Sequence, residues 1–262
     1  MACSPFQNHY WHVALYVTAR GLSTSVFRFE GRSYDVELDL LGHELVVRTG
    51  DGTRRAEPLR AGSVADIAAR ADALFDGVGL RPRIRPVPNE VDPAVPFAQD
   101  HAEREYDPEA ATLFLGQLQV AHEALSVFRS GFDGKVSPVH FFWGSFDLAV
   151  TRFSGRPAPL HPGGVPNCPD EVMHESYNAE LSSAGFWPGG GDEGAFYSYA
   201  YPEPAGFSAA DVGPAGAHWF APGGQFLLPY EAVRTAADPD AAVCEFLTGT
   251  FAAAARTADW PA

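Results

Sequence analysis

The chain has 262 residues, of which 46% are hydrophobic and 13% aromatic, and its 33 acidic residues against 18 basic ones give a formal net charge of −15. An acidic chain without a basic cluster is a poor partner for nucleic acids and anionic membranes, so we predict binding to neither. Its three cysteines are widely spaced without a C-x-x-C pair, which predicts neither a disulfide framework nor a cysteine zinc site. We see no secretory signal and no run of about 18 apolar residues, and therefore expect a cytoplasmic protein.

An antiparallel meander is predicted for the first part of the chain. Apolar and polar residues alternate there with the period of two that is typical of half-buried strands. The dipeptide Asp51-Gly52 is a strong hairpin-turn signal. The predicted strands lie at residues 8–20, 34–41 and 44–49, in a short segment ending at 59, and at 81–87.

Three helices are predicted from their capping residues. Ser63 followed by Asp66 is a capping-box pattern. Asp107-Pro108 and Asp238-Pro239 each place an aspartate cap before a proline at the first helical position. The helices are predicted to follow Ser63 as far as Gly77, to span 107–131, and to follow Asp238 through Ala254.

Residues 137–156 form the most informative stretch, SPVHFFWGSFDLAVTRFSGR. Aromatic and β-branched residues dominate it, which favours a strand. A loop rich in proline and glycine is predicted to follow at 157–170. Further strands are predicted at 177–187 and 195–201, joined by a turn at 188–191, and a hairpin pairs 217–220 with 225–228.

Two short echoes predict an internal duplication. The pattern Leu-x-Val-Thr at 15–18 returns at 148–151, and Tyr-x-x-Glu-Leu at 34–38 returns at 177–181. The predicted fold class is α+β, with mainly antiparallel sheets and helices packed on one face. We expect one compact domain over 1–262, with pseudo-repeats at 9–88 and 137–258 joined by the helix at 107–131.

His140 and Asp147 are the candidate catalytic residues. Seven positions apart in one strand, they would face opposite ways unless Gly144 hosts a bulge that reverses the parity. With the bulge, Asp147 would orient His140 as a general base, and Arg152 would hold an anionic group of the substrate. The alternative is a core strand with a hydrogen-bonded histidine and a surface aspartate.

A concentration of aromatic and polar side chains near strand ends predicts an aromatic-lined pocket near 137–156, suited to a small organic ligand. The protein would then be a small-molecule-binding protein or an acid–base enzyme without a cofactor. Aromatic residues equally suit subunit interfaces, so a non-catalytic interaction or oligomerisation module is the alternative. The candidate ligand-binding residues are His12, Tyr16, Trp143, Arg152, Glu180, Trp187 and Tyr197.

Metal and cofactor signals are weak in this sequence. His9 and His12 form an H-x-x-H pair, which alone predicts no metal site. No phosphate-cradle, dinucleotide or nucleophile-elbow motif is present, so no cofactor is predicted. Glu37 and Glu180 hold equivalent places in the predicted repeats and would either share a site as a carboxylate pair or each pair with an arginine.

Three long motifs carry a resemblance to a known family: HVALYVTARGLSTS (12–25), the stretch at 137–156, and SAGFWPGGG (183–191). Together they resemble the bacterial domain-of-unknown-function 5996 family over nearly the whole chain. The resemblance implies no particular reaction. Family members usually carry a further helix before the first motif, and a histidine before the glutamate where this chain has Ala179 before Glu180. A mechanism that needs that histidine is therefore not expected here.

Overall fold

The structure is a computed structural model, and it describes residues 3–189 and 193–260. By its internal contacts the chain divides into two compact units. The first comprises residues up to 119 together with 163–172, and the second comprises 120–162 and the residues from 173 onward. The single domain and the pseudo-repeat boundaries stay predictions.

The first unit contains an antiparallel sheet of six strands. These are β1 (Tyr16–Val17), β2 (Gly21–Ser23), β3 (Phe27–Phe29), β4 (Arg32–Asp39), β5 (Glu44–Thr49) and β6 (Arg54–Pro58). Their order in the sheet is β1-β2-β4-β5-β6, and β3 pairs with β4 off this path. The predicted meander of the first part of the chain is therefore present.

The core of the first unit is centred on β4 and β5. Tyr34 and Val47 are buried and pack with Val78 and Leu80, which follow helix α1 (Val64–Asp76). Burying such side chains contributes roughly 1.5–3 kcal/mol each. Val46 and Val47, which are neighbours in β5 and point to opposite faces of the sheet, are both fully buried, so both faces are covered at this point and the alternation expected for a half-buried strand is not observed.

The second unit contains another antiparallel sheet of six strands. These are β7 (His140–Phe142), β8 (Asp147–Pro157), β9 (Ala179–Trp187), β10 (Ala195–Tyr201), β11 (His218–Phe220) and β12 (Gln225–Pro229). Their order in the sheet is β11-β12-β10-β9-β8-β7. The predicted strands at the end of the chain and the predicted final hairpin are confirmed within a few residues.

One face of the second sheet is apolar and supports helix α5 (Pro239–Thr257), which packs on β9 and β10. Phe246 and Leu247 of this helix are fully buried. Two antiparallel sheets with packed helices confirm the predicted α+β class. The buried row that crosses four strands of this face consists of Leu148, Phe186, Phe196 and Leu228.

The helices begin where the capping residues predict. The Asp66 N–H donates to Ser63 Oγ, and the Asp66 carboxylate accepts from the Ser63 N–H. Asp238 accepts from the Ala241 N–H at 3.0 Å to open α5. The remaining helices are α2 (Pro108–Ser130), which contributes 108–119 to the first unit and the rest to the second, and the unpredicted α3 (Asp170–Ser176) and α4 (Tyr230–Arg234).

Three predicted strands are wrong. A 3-10 helix (Asn8–Val13) replaces most of the strand predicted at 8–20, because His9 and Tyr10 adopt left-handed backbone angles. The segment 81–87 forms no strand, since its prolines lack the N–H that a ladder needs. The stretch 137–156 is a hairpin of two strands, and Phe146 with φ of 57° ends the turn between them.

Two further sequence expectations concern a turn and the membrane. The turn predicted at 188–191 lies partly outside the described residues. Over residues 3–189 and 193–260, no helix combines the length and the apolar character that a membrane crossing requires.

Candidate functional site

The candidate site lies on the face of the second sheet opposite helix α5. In the β7–β8 hairpin, His140 lies opposite Ala149, and Phe142 lies opposite Asp147. Opposed residues share a face, and so do residues two apart along a strand. His140 and Asp147 therefore point to the same side of the sheet, and the hairpin turn, not the bulge considered at Gly144, is the cause.

Small residues separate His140 from Tyr197 along one row of this face. The cross-strand pairs are His140–Ala149, Ala149–Gly185 and Gly185–Tyr197. A Cβ atom on Gly185 would collide with the carbonyl oxygen of Leu148 and would lie only 2.6 Å from Tyr197 Oη. The phenol ring therefore crosses directly over Gly185, and this close approach requires glycine there.

Among the described residues, two side-chain hydroxyl groups and no cationic side chain donate hydrogen bonds to Asp147. The Tyr197 hydroxyl donates to Oδ2 and the Ser145 hydroxyl donates to Oδ1. Asp147 is only 8% exposed. Burial raises the pKa of its carboxyl above the ordinary value, although both hydroxyl donors act in the opposite direction. Burial and the neighbouring Asp147 also hold the pKa of Tyr197 well above its usual range.

His140 is held by the backbone and not by Asp147. Its Nδ1–H donates to the carbonyl oxygen of Pro138 at 2.7 Å, which leaves Nε2 as an acceptor. Nε2 is buried and has no hydrogen-bond partner among the described residues, and His140 is 1% exposed. Burial lowers the pKa of the imidazole to about 4, so the ring is neutral near pH 7. No hydrogen bond joins His140 to Asp147 among the described residues, so the prediction that Asp147 orients His140 is wrong.

Two hydroxyl pairs extend the polar face beyond this row. Thr151 Oγ1 lies 2.9 Å from Ser183 Oγ, and Tyr177 Oη lies 2.9 Å from Tyr199 Oη. Thr151 opposes Ser183, which in turn opposes Tyr199, so the register brings these groups together. Sequence analysis missed them as site residues, although tyrosines two apart in β10 were the signal that one face is rich in hydroxyl groups.

The two tryptophans predicted to bind a ligand lie close to Asp147, one in the chain and the other in the sheet. Trp143 belongs to the β7–β8 turn and is 44% exposed. The register of β8 and β9 places Trp187, the last residue of β9, beside Asp147. Ser145, whose hydroxyl group donates to Asp147, is an exposed residue of the same turn. The Asp147 carboxyl thus lies beside Trp187 in the sheet and next to the exposed β7–β8 turn in the chain.

Arg152 lies on the opposite face of the sheet, five residues from Asp147 along β8. Its guanidinium carbon is 3.5 Å from the ring centre of Phe128, 4.3 Å from that of Phe251 and 5.1 Å from that of Phe132. Burial lowers its pKa to about 10, so the group stays charged inside an aromatic cage. The prediction that Arg152 holds an anionic substrate group beside Asp147 is wrong.

Each of the two glutamates at equivalent positions is paired with its own arginine. Glu37 lies 2.6 Å from Arg48 in the first unit. Glu180 lies 2.7 Å from Arg156 in the second unit. The charge of each carboxylate is therefore balanced within its own unit, as the alternative interpretation of separate ion pairs expects.

The other candidates lie in the first unit. His9 is buried beside Trp11, and their ring centres are 5.0 Å apart. His12 Nδ1 accepts a hydrogen bond from the Gln7 N–H at 3.2 Å, and burial lowers the pKa of this imidazole. Tyr16 is half-buried in β1, and burial raises its pKa. Within the described ranges, no three His, Cys, Asp or Glu side chains gather as a metal site.

Comparisons with known proteins agree with the motifs. A family model described as "Family of unknown function (DUF5996)" matches residues 1–262. No curated protein and no solved structure matches the chain. Because the family model covers the full length, the resemblance expected from the three motifs is confirmed, and the chain belongs to the DUF5996 family, whose function is unknown.

Proposed function

We propose that the second unit binds a small polar organic molecule at Asp147 and Tyr197, and that Asp147 exchanges a proton with it. The observation that carries this proposal is a nearly buried carboxyl held by two hydroxyl groups without a cation. A buried carboxylate with a structural role is usually paired with a cationic side chain. A carboxyl with a raised pKa in apolar surroundings instead suits general acid–base catalysis. No cofactor is required for such a step.

His140 supplies a second contact in this proposal. Its unpaired Nε2 is an acceptor on the same face, and a buried acceptor without a partner is unfavourable by about 1–3 kcal/mol. His140 and Asp147 are diagonal neighbours across the hairpin, an arrangement that separates side chains by roughly 7–8 Å. A ligand group that donates to Nε2 while a second group shares a proton with Asp147 satisfies both residues.

The proposed chemistry is a single proton transfer. The Asp147 carboxylate takes a proton from an acidic N–H, O–H or activated C–H of the ligand, and the electron pair of that bond stays on the ligand. The hydroxyl groups of Tyr197 and Ser145 stabilise the carboxylate before the transfer. The aromatic ring of Trp187 limits access of water to the reacting groups.

A thermal-shift screen against a library of small metabolites tests this proposal, because a ligand that binds only the folded state raises its apparent stability. Compounds that stabilise the wild-type protein should lose their effect on Asp147→Asn and on Tyr197→Phe. Matched controls are Asp133→Asn, an exposed aspartate of the same unit, and Tyr230→Phe, whose ring packs against Phe186 on the opposite face of the sheet. Stabilisation that persists undiminished in Asp147→Asn would overturn the proposed site.

A second candidate function is suggested by the exposed turn. Trp143 and Phe146 are 44% and 51% exposed at its tip. Exposed aromatic side chains are typical anchors of protein–protein contacts. If the turn is an interaction module, the double variant Trp143→Ser, Phe146→Asn should change the mass measured by light scattering while leaving ligand-induced stabilisation intact. Asparagine is chosen because it tolerates the positive φ of position 146.

A further inference from the structure

A groove of about 130 Å³ opens on the second unit beside the C-terminal end of α5. Its walls come from β9, from β10 and the segment after it, and from the residues that follow the helix. The groove does not include Asp147, Tyr197 or His140. Its principal lining residues are Glu180, Tyr201, Pro202, Pro204, Ala258 and Trp260.

Glu180 presents a carboxylate with one free oxygen to this groove. Its Oε2 accepts from Arg156 Nε at 2.7 Å and from Ser154 Oγ at 2.9 Å. Its Oε1 accepts no hydrogen bond from any described residue, and the side chain is 21% exposed. The carboxylate is therefore fixed in position through one oxygen while the other stays available to a ligand.

Arg156 is anchored through each of its side-chain nitrogens. Besides Nε, its Nη2 donates to the carbonyl oxygen of Ala258 at 2.6 Å and its Nη1 to that of Asp259 at 3.0 Å. All three nitrogens are thus engaged with protein acceptors. The guanidinium therefore acts as a structural support for Glu180 and for the chain after α5.

Two aromatic rings of the groove are held in place by their neighbours. The Trp260 ring packs edge-on against Phe251, with ring centres 5.6 Å apart. The Tyr201 hydroxyl donates to the Pro159 carbonyl oxygen at 3.0 Å, and its ring packs against Tyr177 at 5.0 Å. The faces of such rings attract cations, most strongly in tryptophan.

The electrostatic surroundings favour a positive ligand. Glu203 and Asp259 are exposed neighbours in the chain of groove-lining residues, and with Glu180 they outnumber the nearby guanidinium groups of Arg156 and of Arg256 in the last turn of α5. The groove also lies at the end of α5 where backbone carbonyls carry partial negative charge. Both features lower the free energy of a cation and raise that of an anion.

We propose that this groove binds the head group of a small organic cation, an ammonium or a methylated ammonium, with Glu180 as counter-ion and the rings of Trp260 and Tyr201 against its apolar surface. The volume suits a head group and is smaller than the roughly 300–1,000 Å³ of pockets that enclose whole drug-sized ligands. The rest of such a ligand would extend into solvent. This site goes beyond the proposed function, because none of its residues takes part in the Asp147 chemistry.

Titration of the full chain with tetramethylammonium chloride tests the proposal, and tert-butanol serves as a neutral probe of similar shape. The indole N–H signal of Trp260 in a protein labelled with ¹⁵N-tryptophan is the readout, assigned by its loss in Trp260→Phe. We expect a saturable shift with the cation and none with the alcohol. Glu180→Gln, which keeps an oxygen for Arg156 and Ser154, should weaken binding about tenfold.

Glu123→Gln, an exposed glutamate of α2 outside the groove, is the matched control and should bind like the wild type. If the wild-type protein shows equal shifts with tetramethylammonium and with tert-butanol, the proposal is overturned, whatever the variants show. Equal weakening in Glu180→Gln and Glu123→Gln would also overturn it, because it would show attraction to the overall negative charge. Asp147→Asn should leave this binding unchanged, which separates the two proposed sites.

Discussion

Asp39 in the first unit and Asp147 in the second are both buried aspartates at strand ends, yet their surroundings shift their pKa values in opposite directions. Burial by itself would raise the pKa of Asp39, but hydrogen bonds from Arg20 Nε at 2.7 Å and from the Gly42 N–H at 2.7 Å together hold it below the ordinary value. The side-chain donors to Asp147 are two hydroxyl groups, and burial prevails. The direction is therefore set by the balance between burial and the hydrogen bonds that each carboxylate accepts, of which only Asp39 has one from a cation.

This contrast separates a structural carboxylate from a reactive one. Asp39 fixes the turn after β4 by accepting from the N–H groups of Leu41 and Gly42, and its charge is neutralised by Arg20. Among the described residues, Asp147 accepts from no backbone N–H except its own. It can therefore change its protonation without breaking an ion pair. The two environments lead to different responses to mutation and pH.

The largest expected effect comes from adding a side chain at Gly185, where the Tyr197 ring crosses the sheet to reach Asp147. Gly185→Ala should destabilise the protein by about 3 kcal/mol, because the added Cβ collides with backbone in β8 and with the Tyr197 ring. Urea unfolding measures this difference. Gly116→Ala in α2, where a Cβ meets no atom within 4 Å, is the control and should be neutral or slightly stabilising. Equal stability of the two variants would contradict the close approach at Gly185.

A matched pair of isosteric substitutions tests the comparison directly. Asp39→Asn should cost about 2 kcal/mol of unfolding free energy, because the bond to Arg20 loses its charge. Asp147→Asn should cost less than about 1 kcal/mol, since the Ser145 and Tyr197 hydroxyl groups can rotate to accept from the new amide. Chemical denaturation of both variants under the same conditions provides the measurement. A larger loss of unfolding free energy in Asp147→Asn than in Asp39→Asn would contradict the distinction between the two carboxylates.

The smallest expected effect is a difference in pH dependence. A raised pKa in the folded state means that Asp147 contributes stability below the ordinary carboxyl pKa of 3.8 and loses it as pH rises through the raised value. Asp39, whose pKa is lowered, contributes stability above 3.8 and loses it as pH falls through the lowered value. Each slope is limited to about 1.4 kcal/mol per pH unit.

The measurement is urea unfolding of the wild type and both Asn variants between about pH 3 and about pH 7. Asp147→Asn should gain stability relative to the wild type as pH rises above 3.8. The deficit of Asp39→Asn should shrink as pH falls below 3.8. Parallel curves for the wild type and Asp147→Asn would show that the carboxyl titrates normally in the folded state.

Local signals predicted much of the fold because they act through neighbours in the chain. Ser63 and Asp66 specify the start of α1, and the adjacent valines of β5 favour a strand, which was predicted at its observed bounds, Glu44–Thr49. The errors arose where backbone angles override composition. Phe146 is strongly β-forming as a residue type, yet its left-handed conformation ends the turn that divides the predicted strand.

The candidate site was harder to predict, because its central contact joins residues fifty positions apart in the chain. Asp147 and Tyr197 were each singled out, but only the register of β8, β9 and β10 reveals that one lies within reach of the other across Gly185. The role of Gly185 has no local signature, since its lack of a side chain matters only to a ring from another strand. His140 was recognised, but its backbone acceptor was not.

The apolar face that supports α5 also sets an order of events during synthesis of the chain. All six strands of the second sheet precede α5, so a ribosome produces them before residues 239–257 exist. Leu148, Phe186 and Phe196 therefore stay uncovered by α5 while the later strands are synthesised. Uncovered apolar sheets associate with one another or attract chaperones. A pause in translation shortly before α5 would prolong that vulnerable interval, whereas rapid completion of the helix would close it.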